Sequence, residues 1–239
     1  MAKRLLLLSN STMAGEPYLG WPEPAIRSFL GPAARRAFFV PFAGVRITWD
    51  EYTAMVRERF GAMGYELLAA HETADPMSEV ARAEAIVVGG GNTFHLLHHL
   101  CQSGLLGVIS ERAKEGVPYI GWSAGANVAC PTIKTTNDMP IIEPPSFDAL
   151  GLLPFQINPH FTDALPPGHG GETRTDRIRE FLEVNPETAV VGLREGTYLR
   201  LEDGRLTFGG ERPARIFRRG DDPVDFGRDD DWTPLLAKK

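Results

Sequence analysis

The chain has 239 residues, of which 43% are hydrophobic and 23% charged, and its formal net charge is −6. This is the composition of a soluble globular protein, and the length suits one sizeable α/β domain spanning 1–239. The mildly acidic balance gives no electrostatic footing for nucleic acid or an anionic membrane, and no apolar run approaches the ~20 residues of a membrane span.

The first element is a strand. Lys3-Arg4 followed by four leucines has the outline of a signal peptide, but Ser9-Asn10-Ser11 ends the apolar run too soon. Leu5–Ser9 is therefore expected to be a buried strand, and Glu23–Leu30 a short helix. Ala37–Pro41 is the second strand. Thr48–Met63 predicts an amphipathic helix, with Tyr52, Met55, Val56, Phe60 and Met63 on one face and Gly64 as the stop. Tyr65–Ala69 and Ala85–Val88 are the next strands. A glycine triplet then opens a helix at Thr93–Gln102. A further helix, Leu105–Lys114, precedes the strand Pro118–Trp122, which runs directly into Ser123. Strands alternating with helices predict a doubly wound, mainly parallel sheet covered on both faces.

The rhythm changes after Cys130. Residues 131–151 are rich in proline, threonine and asparagine and predict an ordered loop. Phe155–Asn158 is a strand end, 166–171 a flexible loop, Thr173–Val184 a helix and Thr188–Leu193 a strand. Thr197–Leu201, Arg205–Phe208 and Ala214–Phe217 predict short antiparallel strands at the sheet edge. The aspartate-rich end, 220–239, is expected to wrap the surface. Cys101 and Cys130 are the two cysteines of the chain. They support neither a disulfide framework nor a zinc site, and point to a reducing cytoplasm.

Gly121-Trp122-Ser123-Ala124-Gly125 matches the nucleophile-elbow pattern, in which a strand turns sharply into a helix and presents a serine hydroxyl at the apex. Gly89-Gly90-Gly91-Asn92-Thr93 also joins a strand to a helix. It fits neither dinucleotide nor Walker spacing, so the N–H groups of Gly91 and Ala124 are candidates for an oxyanion hole. Among six histidines, His160 follows a strand-like run and is the candidate general base for Ser123. His95 and His99 have the spacing of a zinc pair, but Leu96 stands where the metalloprotease motif needs glutamate, so no metal is expected. Two acids compete to orient His160. Asp138 lies on the long loop, whereas Glu195 directly follows a strand. Arg174, at a helix entry, is a candidate to grip a substrate carboxylate.

Together these strings, with Thr135-Thr136-Asn137-Asp138-Met139-Pro140 and Asn158-Pro159-His160-Phe161, resemble the S51 serine peptidases, the peptidase E family of α-aspartyl dipeptidases. The resemblance runs from the first strand to about residue 217. It implies a fold similar to class I glutamine amidotransferases, with serine in place of cysteine, and hydrolysis of small Asp-X dipeptides without metal or cofactor. By motif, it implies Ser123 as nucleophile, His160 as base, and Gly91 and Ala124 at the oxyanion. Arg174 would bind the aspartyl carboxylate. Both Asp138 and Glu195 match acids assigned to the third place, and that choice stays open. A cyanophycinase-like hydrolase of aspartyl substrates and a non-catalytic binding module are the alternatives. The glycine-rich 167–171 segment is a candidate lid, and a homodimer is compatible with all of this.

Overall fold

The computed structural model describes residues 2–32, 34–164, 168 and 170–237. Seven strands form the large sheet, in the order β3-β2-β4-β5-β1-β8-β9. The first five of that order are parallel: β3 (Glu66–Ala69), β2 (Arg36–Val40), β4 (Ala85–Val88), β5 (Tyr119–Trp122) and β1 (Leu5–Leu8). β8 (Tyr198–Glu202) and β9 (Arg205–Gly209) extend the sheet beyond β1 as an antiparallel hairpin.

The strand sequences explain why both faces are covered. Side chains alternate across a strand. Leu5 and Leu7 of β1 join one apolar cluster, while Leu6 and Leu8 join another. On the first face lie α4 (Thr93–Gln102) and α5 (Leu105–Lys114), burying Leu96, Leu100 and Ile109. On the second lie α1 (Glu23–Leu30) and α2 (Trp49–Ala62), burying Phe29, Val56 and Phe60. Burying each such side chain contributes about 1.5–3 kcal/mol, which is why continuous apolar strands suit this arrangement. α2 begins at a capping box in which Thr48 accepts from Glu51 N–H, and Gly64 after it takes a left-handed φ of 91°.

Two elements depart from expectation. Pro76–Arg82 forms α3, capped by Asp75, a helix whose seven residues bury only Val80 and so carry almost no periodic signal. The strand β10 (Ala214–Phe217) does not join the large sheet. It pairs instead with β7 (Val190–Arg194), in a second sheet ordered β11-β10-β7-β6. β6 (Gln156–Phe161) runs parallel to β7, and β11 (Val224–Phe226) closes the far edge. A pairing between strands so far apart in sequence leaves no local trace in either of them.

The acidic C-terminal end carries apolar anchors. Trp232 is 1% exposed, stacks on Phe208 with ring centroids 5.1 Å apart, and donates from its indole to the Gly227 carbonyl at 2.8 Å. Leu235 is buried beside it. Among the described residues no helix is long and apolar enough to cross a membrane.

Candidate active site

The turn at Ser123 is strained. Its φ is 52° and ψ −112°, a conformation costing a non-glycine residue about 1–3 kcal/mol. β5 ends at Trp122, and the short helix α6 (Ala124–Asn127) starts at once. The glycines are there because backbones touch. A Cβ on Gly125 would overlap the Val88 carbonyl, and one on Gly121 would overlap the Gly125 carbonyl. The serine N–H donates to Leu8 O at 3.0 Å, and its carbonyl accepts from Ala126 and Asn127. The side chain is left clear of the turn's own bonding. As the first helical residue, Ala124 has no intrahelical acceptor for its N–H.

His160 is brought to Ser123 by a bulge. Strand β6 loses register with β7 between Pro159 and Phe161, and His160 takes φ 53°. Pro159 has no N–H to give the ladder, and the His160 N–H donates instead to Ser9 Oγ at 2.9 Å. The Ser9 hydroxyl in turn donates to Leu193 O at 2.7 Å, tying the bulge to β7. The imidazole then lies between two partners. Its Nε2 is 2.8 Å from Ser123 Oγ, and its Nδ1 is 2.8 Å from Glu195 Oε1.

Of the two competing acids, the structure brings Glu195 to the imidazole and holds Asp138 elsewhere. Asp138 Oδ2 accepts from Thr93 N at 2.7 Å, Thr93 Oγ1 at 2.6 Å and Thr136 Oγ1 at 3.0 Å. It thereby fixes the start of α4, just after the glycine triplet. The same 135–138 loop braces the histidine strand: Asn158 donates to Thr135 O at 2.8 Å, and Asn137 donates to Pro159 O at 2.7 Å.

The glycine triplet lies against the elbow. A Cβ on Gly90 would come within 3.0 Å of Ser123 Cβ. Gly91, at φ 141°, sits so close to the Ala43 carbonyl that any side chain would overlap it. Among the described residues, the Gly91 N–H has no hydrogen-bond acceptor. Two N–H groups thus lie on the loops flanking one serine hydroxyl, and this hydroxyl shares a hydrogen bond with an imidazole. Such an arrangement can perform acyl transfer.

The sequence compares with known proteins in the same sense. The model of peptidase family S51 matches residues 5–209. The chain belongs to peptidase family S51. It is thus a serine-type peptidase. It is similar to the peptidase E of Nostoc sp. (strain PCC 7120), with 50% identity covering 100% of this chain and 98% of that one. It is also 52% identical to the peptidase E of Salmonella typhimurium, over 92% of this chain and 96% of that one. Two solved structures share the fold. One, from Listeria monocytogenes EGD-e, has a TM-score of 0.66 at 21% identity, covering 88% of this chain and 100% of that one. The other, a peptidase from an acI-B1 Actinobacterium, has a TM-score of 0.68 at 17% identity, covering 95% and 98%.

In this S51 peptidase Arg174 is the first residue of α7 (Arg174–Val184), following its cap Thr173. Its guanidinium is half-buried and donates to the His160 carbonyl. Burial lowers its pKa from the ordinary value, and the nearby Glu195 carboxylate opposes that shift. A cavity of about 730 Å³ opens over Ser123 and His160, walled by Tyr18, Tyr52, Trp122 and the 43–47 loop. Tyr52 donates to Gly90 O at 3.0 Å and accepts from Trp122 Nε1 at 3.1 Å. Burial pushes its pKa up to about 12, so it stays a neutral brace for the triplet. Of the predicted lid, Pro167 and His169 lie outside the described residues.

Several positioning residues escaped the sequence reading. Arg194, 8% exposed, donates to Asp163 at 2.5 Å and lies over the Phe161 ring at 5.4 Å. It cross-links the ends of β6 and β7 that carry His160 and Glu195. Asn10 accepts from Gly196 N at 2.9 Å, holding the turn after Glu195. Neither residue belongs to a motif. His95 and His99 approach at 3.2 Å between Nε2 atoms, and His95 Nδ1 lies 2.5 Å from Phe42 O, tying α4 to the loop before α2. Among the described residues no three histidine, cysteine or acidic side chains converge as a metal site.

Proposed function

We propose that this peptidase hydrolyses Asp-X dipeptides through an acyl-enzyme formed on Ser123. The observation that carries this is the imidazole of His160, at 2.8 Å from both the Ser123 hydroxyl and the Glu195 carboxylate. Ser123 attacks the peptide carbonyl while His160 Nε2 takes its proton. Glu195 holds the Nδ1–H tautomer and stabilises the imidazolium that forms. The N–H groups of Gly91 and Ala124 receive the oxyanion, and removing one such donor typically costs ~10²–10³ in rate. His160 then protonates the leaving amino acid, and water releases aspartate by the reverse proton path. Asp138 serves by fixing Thr93 and hence the glycine triplet.

The preference for aspartate rests on Arg174. One part of its guanidinium steadies the His160 carbonyl from just outside the lining of the Ser123 cavity, and its remaining donors suit a substrate β-carboxylate that reaches past His160. The peptidase E names of relatives near 50% identity support this substrate class. Two free cysteines, Cys130 buried and Cys101 partly so, support a cytoplasmic place. The test is a panel of Asp-Leu, Asn-Leu, Glu-Leu and isoAsp-Leu with the wild type and R174M. The wild type is expected to favour Asp-Leu, and R174M to lose its preference over Asn-Leu. A wild-type preference for isoAsp-Leu would overturn the α-aspartyl reading.

A further inference from the structure

We infer that Arg46 binds the C-terminal carboxylate of the leaving residue, which makes the site selective for dipeptides over longer or amidated chains. The inference rests on the Asp-X reading above and deepens it.

An Asp-X dipeptide carries two carboxylates, one on the aspartyl side chain and one at the C-terminus. They flank the scissile bond, so one guanidinium cannot hold both in place. Arg174 comes from α7 and is engaged at the His160 carbonyl. A second cation is needed on the leaving-group side, and Arg46 is placed for it.

Arg46 lies in the segment between β2 and α2 and lines the cavity over Ser123. It is the one permanently charged cation among the described residues that line this cavity. The one carboxylate among those lining residues, Asp138, accepts three hydrogen bonds on its Oδ2 and makes no ion pair with Arg46. Arg46 itself is exposed and has no hydrogen-bond or ion-pair partner among the described residues. A guanidinium at the mouth of a cavity, with no carboxylate of its own, is open to an anionic ligand.

The segment is also fixed in place. Ala43 O accepts from Asn92 N at 2.8 Å, Phe42 O meets His95 Nδ1, and Gly91 packs directly on Ala43. Arg46 is three residues beyond Ala43, at most about 11 Å of chain from the Gly91 side of the site. A dipeptide has one residue, about 3.8 Å per Cα step, between its scissile bond and its C-terminus. A longer peptide would place a neutral amide where the carboxylate belongs. Ile47, Met55 and Ile141 line the same cavity and suit an apolar leaving side chain.

The experiment compares kcat/KM for Asp-Leu and Asp-Leu amide in wild type, R46Q and R46K. The wild type is expected to favour the free acid by about 10-fold or more, the scale of one charge-assisted hydrogen-bonded contact. R46Q is expected to bring that ratio close to unity by raising KM for the acid, and R46K to restore part of it. An unchanged ratio in R46Q would overturn the inference while leaving the Asp-X reading intact. So would a change confined to the Asp-Leu over Asn-Leu preference, which would put Arg46 on the aspartyl side chain. Failure of the wild type to cleave Asp-Leu at all would overturn the Asp-X reading and this inference with it.

Discussion

Replacing Glu195 with glutamine separates the charge of the third residue from its geometry. The amide oxygen of the glutamine can still accept the Nδ1–H of His160, which keeps the ring orientation, while the flipped amide donates to Nδ1 and favours the wrong tautomer. What is lost is the attraction between the carboxylate and the imidazolium that forms during attack. The two side chains are 35% and 49% exposed, so solvent screens the pair. Unit charges at ~4 Å interact by about 1 kcal/mol in water and about 4 kcal/mol near a protein surface. A mid-range loss of about 2 kcal/mol corresponds to a kcat lower by roughly 30-fold, and the wrong tautomer lowers it further. KM should change little, since Glu195 acts through His160. The assay is steady-state hydrolysis of Asp-Leu at neutral pH, run beside D138N. Because Asp138 anchors the start of α4, D138N should lower the melting temperature by about 2–4 °C, the shift produced by ~1 kcal/mol in a protein of this size. Its effect on kcat should be smaller than that of E195Q. The reverse order would refute this reasoning: E195Q within about two-fold of wild type, and D138N reduced by roughly 30-fold without a loss of stability.

Two further outcomes test the supports of the site. G125A should destabilise the protein by ~2 kcal/mol or more, because its Cβ would overlap the Val88 carbonyl and the elbow backbone would have to move; urea unfolding that matched wild type would show that the turn has slack. D225N tests the ion-pair network of Arg194, Arg215, Asp163 and Asp225 behind the β6 and β7 ends. The hydrogen bond from Arg215 holds the Asp225 carboxyl below its ordinary value. Its stabilising contribution is therefore present in full above the unfolded value of about 3.9, and is lost as pH falls through the lowered folded value. The gap between wild-type and D225N urea midpoints should narrow correspondingly below that pH, and a gap independent of pH would contradict the assignment.

The parts of this site that were legible in sequence are those fixed by local contacts. Gly121 is demanded by a backbone overlap within the elbow itself, so the pentapeptide around Ser123 carries much of its own geometry. The closeness of His160 to Ser123 was legible because His160 stands near the end of the buried strand β6. That Glu195 and not Asp138 lies beside the imidazole was not, because His160 stands on a bulge held by Ser9 and the Arg194–Asp163 link joins the ends of β6 and β7. These contacts join segments more than 30 residues apart, and none of the residues stands in a recognisable motif. Asp138 is a candidate from its place on the long loop after the elbow helix and from the family resemblance; in the structure its Oδ2 accepts from Thr93 and Thr136. In the fold, the apolar runs of β1, β2, β4 and β5 foretold the parallel sheet, since these strands are buried on both faces. The second sheet was hidden, because β10 pairs with β7 across about 20 residues of intervening chain and passes over the open edge of β9. Trp232 lies in an acidic stretch of sequence, and it is the positions of Phe208 and Phe226 that make it an anchor.

The most direct test of the account is to trap the acyl-enzyme. Protein mixed with excess Asp-Leu, quenched in acid and digested, should yield a peptide containing Ser123 heavier by one aspartyl residue. S123A should show neither that adduct nor turnover. Continued Asp-Leu turnover by S123A, or an aspartyl adduct mapped to another side chain, would contradict the central claim.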